Sequence, residues 1–160
     1  PFFRIVEVCA IEVDDDFNEI DSFHAFINPQ RKVPWFVTRI HGLNNEFLDD
    51  KPIFSDIGRD LLLFLEGSEL WAHNMSFDAG MLNAEFARNR LPTLEKVDCR
   101  LNCTLQLARS TFPGQKNSLD ALLDRFAIDR SERRLHGAMI DTRLLVKVYQ
   151  NLVSYRTKTS

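Results

Sequence analysis

Leu70–Phe86 reads Leu-Trp-Ala-His-Asn-Met-Ser-Phe-Asp-Ala-Gly-Met-Leu-Asn-Ala-Glu-Phe, a short apolar run that gives way to helical spacing. Leu70-Trp71-Ala72 reads as a strand, broken by His73-Asn74. Asn74 or Ser76 can cap a helix that begins near Phe77. On that helix Asp78 projects between Met81 and Leu82, an acid set into an apolar arc. It also follows the carboxyl end of a strand, where open α/β sheets bind their ligands. An aspartate in a first helical turn is favoured by the helix dipole alone, so this stretch leaves a dipole-matching residue and a site acid both open.

Upstream, Arg4 to Val13 is β-branched and mostly apolar on both faces, which predicts an interior strand. Asp14 to Glu19 suits a turn, and Ile20 to Asn28 then alternates as the second arm of a hairpin. Ile53 to Glu66 has helical core spacing and ends at Gly67. Downstream, the pattern predicts a strand around Val97, helices over Leu101 to Arg109 and Ser118 to Phe126, and a last helix from Ala138 to Val153. Strands followed by alternating strand and helix indicate an α/β domain with a mixed central sheet flanked by helices. The 160 residues, without repeat or linker, are expected to form a single domain over 1–160.

The composition narrows the function classes. Hydrophobic residues make up 44% and charged residues 27%, an ordinary globular balance. No apolar run is long enough to cross a bilayer, so no membrane partner is expected. Three cysteines (Cys9, Cys99 and Cys103) fit a reducing cytoplasm better than a disulfide framework. Cys99 and Cys103 have no matching ligand pair for zinc. A net charge of −3 is unlike a protein that grips long nucleic acid through its backbone. Any nucleic acid would be held by a short end, with metal ions supplying positive charge.

On the last helix, Asp141, Leu145, Val148 and Leu152 share a narrow stripe that should face the sheet, with Leu144 beside it. A carboxylate there costs several kcal/mol unless it is compensated. A helix-start acid touching water and a metal ligand are both compatible with that position. His136, on the loop side of Gly137, could take a proton from a water beside such an acid, or could be a solvated surface residue. Arg130, Arg133 and Arg134 could be solvated or contact a phosphate.

His73–Phe86 (His-Asn-x-x-Phe-Asp-x-x-Met-Leu-x-x-Glu-Phe) resembles the second motif of the DEDD-type 3′→5′ exonucleases. Leu135-His136-Gly137-Ala138-Met139-Ile140-Asp141 resembles the third motif of their histidine-base subclass. Phe112–Leu122 and Ile40–Leu43 are similar to segments of the proofreading epsilon-type subunits within that family, collinearly from about Arg4 to Tyr149. The resemblance implies an RNase H-like exonuclease fold and two Mg²⁺ or Mn²⁺ ions that clamp the terminal phosphodiester. It implies that Asp141 and Asp78 are metal-site acids, His136 the general base, and His41 and Asn74 part of the terminal-nucleotide site. The implied partners are the 3′ end of single-stranded or frayed DNA and a polymerase catalytic subunit, with nucleoside 5′-monophosphates as products.

The family's first motif, Asp-x-Glu on a leading central strand, does not occur in these 160 residues, and Asp14-x-Asp16 lies in a turn. The expectation is that either further residues precede Pro1 or another segment fills the vacant strand position, and that residues 1–160 alone are inactive. Phe36 stands where the epsilon-type subunits have a glutamate. A catalytically inactive binding module and an RNA-directed exonuclease of the same superfamily are the alternative readings.

Overall fold

The protein is described from a computed structural model covering residues 4–34, 42–131, 133 and 137–159. His41, Phe36, Arg134 and His136 lie outside the described residues.

The chain opens with an antiparallel hairpin of β1 (Glu7–Val13) and β2 (Glu19–Phe26), in register from Glu7 opposite Phe26. The Asp14 carboxylate shapes its turn by accepting from the backbone N–H groups of Asp16 and Asn18, each at 2.9 Å. Asp14 is therefore a turn residue, as its sequence position indicated. A short helix, α1 (Asn45–Leu48), is capped by Asn44, whose side chain accepts from Phe47 N–H. Next comes α2 (Phe54–Leu65), which buries Phe54, Gly58, Leu61, Leu62 and Leu65 and stops at Gly67 with φ 71°.

β3 (Glu69–Ala72) leads into α3 (Met75–Arg88), which starts slightly ahead of the position expected from the sequence. β4 (Arg100–Cys103) pairs parallel with β3, Leu70 opposite Leu101 and Ala72 opposite Cys103. This corrects the expectation downstream of Arg88. Glu95–Val97 is a 3₁₀ turn that ends at Asp98 in the left-handed region (φ 63°), so the strand begins at Arg100 and the helix only at Thr104. Backbone pairing with β3 overrides the helical spacing of Leu101. α4 (Thr104–Thr111) and α5 (Leu119–Arg125) follow, α5 capped by the Ser118 hydroxyl, which accepts from Ala121 N–H. The last helix, α6 (Ala138–Thr159), continues beyond Val153.

One core lies between the hairpin, α2, α3 and the β3–β4 pair; a second joins α4, α5 and α6 through Ala108, Leu122, Leu123, Leu144, Val148 and Leu152. α6 spans both strand pairs: Cys9 Sγ on β1 lies 3.5 Å from Met139 Sδ, and the Trp71 ring on β3 lies 4.5 Å from Tyr149. Among the described residues the sheet is two separate pairs, one antiparallel and one parallel. The mixed sheet expected from the sequence is thus present in its two directions without a hydrogen-bonded join.

Candidate active site

The two candidate acids, Asp78 and Asp141, each stand in the first turn of a helix. β3 delivers the chain to His73 and Asn74, and Asn74 turns it with φ 78°, a left-handed conformation that asparagine tolerates. Asn74 is the N-cap residue by position, but its side chain makes no cap bond; its Oδ1 accepts from the Ser76 hydroxyl at 3.2 Å. That turn places Asp78 in the first turn of α3, half-buried. Burial lifts the Asp78 carboxyl to about 6, and among the described residues no ion pair or hydrogen bond compensates its charge.

His73 fixes the approach to α3. Its Nδ1 lies 2.9 Å from the hydroxyl of fully buried Thr104 and its Nε2 lies 2.7 Å from the Asn117 carbonyl. A carbonyl can only accept, so Nε2 carries the proton and Nδ1 can accept from Thr104. Burial pushes this imidazole down, which favours the neutral form that the arrangement requires. Asn117 in turn accepts from Arg125, whose guanidinium also lies over the Phe112 ring. Two stretches distant in sequence, His73–Phe86 and Phe112–Leu122, are thereby locked together.

The second helix start presents Asp141 in the first turn of α6, its backbone N–H bonded to the Gly137 carbonyl at 3.0 Å. Leu144, Val148 and Leu152 are the buried stripe of this helix, with Asp141 at its N-terminal edge. Its charge is compensated, and the sequence did not show by what. Arg133 places Nε 2.8 Å from Asp141 Oδ1 and donates from Nη2 to Oδ2 at 3.3 Å. The same guanidinium pairs with Asp120 on α5, and Arg130 pairs with Asp120 and Asp124. Arg130 and Arg133 are therefore committed to carboxylates, and Arg133, which by its sequence position could be solvated or contact a phosphate, instead pairs with a candidate site acid.

The donor chemistry of Asp78 and Asp141 fits a hard, oxygen-seeking cation. One is a desolvated carboxylate with no cationic neighbour among the described residues, and the other already holds a cation. Their number does not close a cage: the described residues contain no group of three or more His, Cys, Asp or Glu side chains able to share one ion. Further ligands are needed, in agreement with the absence of Asp-x-Glu from the sequence.

Asp78 also makes a stability test. Its folded value of about 6 lies above the ordinary 3.8, so between these pH values the folded state binds more protons than the unfolded chain. This contribution is therefore fully present below about pH 4 and is lost as pH rises through about 6, amounting to about 3 kcal/mol at most. Asp78→Asn should raise the metal-free melting temperature at pH 8, and the stability of the wild type relative to the variant should fall between about pH 4 and 6. Equal melting temperatures in chelator at both pH values would show that the Asp78 charge is compensated.

Comparison with known proteins agrees with this fold. The RNase T-type exonuclease family matches residues 3–149. DNA polymerase III subunit epsilon of Pasteurella multocida is 38% identical over 153 residues, covering 96% of this chain and 60% of that protein. The subunit of the same name from Rickettsia conorii is 45% identical over 159 residues, covering 96% and 67%. The chain thus spans about three fifths to two thirds of the length of these curated relatives. Among solved structures, exonuclease X in complex with 5′-overhanging duplex DNA superposes with a TM-score of 0.69 at 26% identity, over 94% of this chain and 82% of that one. A zinc-bound E. coli ExoI–ssDNA complex shares the fold, with a TM-score of 0.81 at 20% identity over 96% of this chain and 37% of that one. Among the described residues no helix is long and apolar enough to cross a membrane. With two acids heading two helices on an RNase H-like scaffold, and the family matched over nearly its whole length, this chain belongs to the exonuclease family.

Proposed function

We propose that the chain is the catalytic core of a 3′→5′ DNA exonuclease of the proofreading type, a single domain that hydrolyses the 3′-terminal phosphodiester and releases nucleoside 5′-monophosphates. The observation that carries this reading is Asp78, a desolvated carboxylate without a compensating charge among the described residues, held at the end of β3 by the Asn74 turn. A structural acid would be paired or solvated, whereas a ligand acid is kept ready for a cation.

In this reading Asp78 and Asp141 contribute oxygens to a site for Mg²⁺ or Mn²⁺, together with carboxylates beyond the described residues. Two such ions, when bound, supply neutralisation of the phosphate and a more acidic attacking water. His136 accepts the proton of that water as the new O–P bond forms, and the bond to the leaving 3′ oxygen breaks with that oxygen taking up a proton from solvent. His41 and Asn74 line the terminal-nucleotide pocket. Arg133 holds Asp141 in its rotamer through the ion pair already described. The net charge of −3 suits a protein that takes a short, single-stranded or frayed 3′ end rather than a long duplex. By extension from the relatives' name, a polymerase catalytic subunit is the partner and the cytoplasm the compartment.

The test uses the complete protein with Mn²⁺ on 3′-labelled single strands of DNA and RNA of one sequence. Stepwise release of mononucleotides from DNA, lost in Asp78→Asn, is the expected result. Binding without cleavage would replace this reading by a nucleic-acid-binding module. Cleavage confined to RNA would replace it by an RNA-directed exonuclease, which needs a contact to the 2′-hydroxyl.

A further inference from the structure

Glu7 sits on β1, in a strand that is otherwise apolar apart from Glu12, and its side chain is only 12% exposed. A carboxylate so placed needs partners, and it has two from distant parts of the chain. Oε2 lies 2.7 Å from His24 Nε2 on β2. Oε1 accepts from the backbone N–H of Ala138 at 3.4 Å, the first residue of α6.

The first N–H groups of a helix have no partner within it, and the positive end of the helix dipole lies there. Glu7 answers both needs from outside the helix. The contact is reinforced along the same face of β1, where Cys9 meets Met139, and at the hairpin turn, where Glu19 pairs with Arg143. Asp141 stands in the turn that Ala138 begins. Its oxygens are steadied from one side by Arg133 and its backbone from the other by whatever fixes the helix start.

We propose that Glu7, braced by His24, is a positioning residue for Asp141: it caps α6 from the neighbouring strand and so sets where the Asp141 carboxylate is presented. The inference rests on the exonuclease reading for its kinetic consequence but not for its structural one. Glu7 itself touches no reacting atom. It acts through the backbone of the helix, so its loss tilts or frays the first turn while the buried Leu144–Val148–Leu152 stripe keeps the helix in place.

The experiment compares Glu7→Ala, Glu7→Gln and His24→Ala in the complete protein by two readouts. In amide hydrogen exchange, Glu7→Ala should speed exchange of Asp141 and Thr142 about 5- to 30-fold, the equivalent of a lost cap, with Val148 and Leu152 unchanged. Glu7→Gln keeps an acceptor of the same reach and should restore much of the protection, while His24→Ala should fall between. In single-strand DNA hydrolysis, Glu7→Ala should lower kcat about 10- to 100-fold with KM within about twofold, and Glu7→Gln should recover most of it. Unchanged exchange in the first turn, or acceleration spread evenly through the core, would overturn the proposal. So would a frayed first turn with an unaltered kcat. A wild-type protein without nuclease activity would defeat the exonuclease reading instead, and the exchange comparison would still decide whether Glu7 caps α6.

Discussion

Replacing Asp141 by asparagine should reduce exonuclease turnover by at least roughly 10³-fold while the fold survives. The amide is nearly the same size, so the buried stripe of α6 is undisturbed, but the anionic oxygens needed for a divalent cation are gone. The metal-free stability of this variant separates two accounts of the residue. A carboxylate that was merely buried would be a liability, and its neutralisation would stabilise the protein. Asp141 is instead paired with Arg133, so the amide leaves that guanidinium with Asp120 as its remaining described anionic partner. The expected outcome in chelator is a loss of about 1–2 kcal/mol, opposite in sign to the gain expected from Asp78→Asn. Thermal melts of the two variants side by side would check this. Two stabilised variants would mean that the Arg133 pair contributes nothing to holding Asp141.

The second large effect is expected at His136. His136→Ala should lower kcat by about 10²- to 10⁴-fold, the range for loss of a general base, with little change in KM because the 3′ end is held by other groups. Turnover of the intact enzyme should fall at acid pH as an imidazole takes up a proton and can no longer accept one from water. In the variant that acid limb should vanish. A pH–rate profile measured in Mn²⁺ decides the matter, and an acid limb that persists unchanged in the variant would assign the titration to another group.

Much of this was legible in the residue pattern because it depends on local rules. The hairpin followed from β-branched runs on either side of an acidic turn, and Asp14 does shape that turn. The helices that carry Asp78 and Asp141 followed from apolar spacing, although the first starts at Met75 and Asn74 makes no side-chain cap bond. Arg100–Cys103 was misread because four residues of strand are specified by their partner β3 and not by their own periodicity. Arg133 and Glu7 were hidden for a related reason. Their roles come from contacts made beyond their own segments, Arg133 from a loop to two helices and Glu7 to a backbone group 131 positions away. The only local sign was a glutamate inside an apolar strand, a charge that burial obliges to find a partner.

That long reach has a consequence for the order in which the molecule comes together. The hairpin is complete once Phe26 has emerged, yet the face of β1 that carries Cys9 meets Met139 only when the last helix arrives. At synthesis rates of about 5–20 residues per second, the interval is on the order of ten seconds. For that time β1 and β2 stand without the helix that covers β1. The helix that presents Asp141 is also the cover of β1, so Asp141 reaches its place only when that distant packing forms.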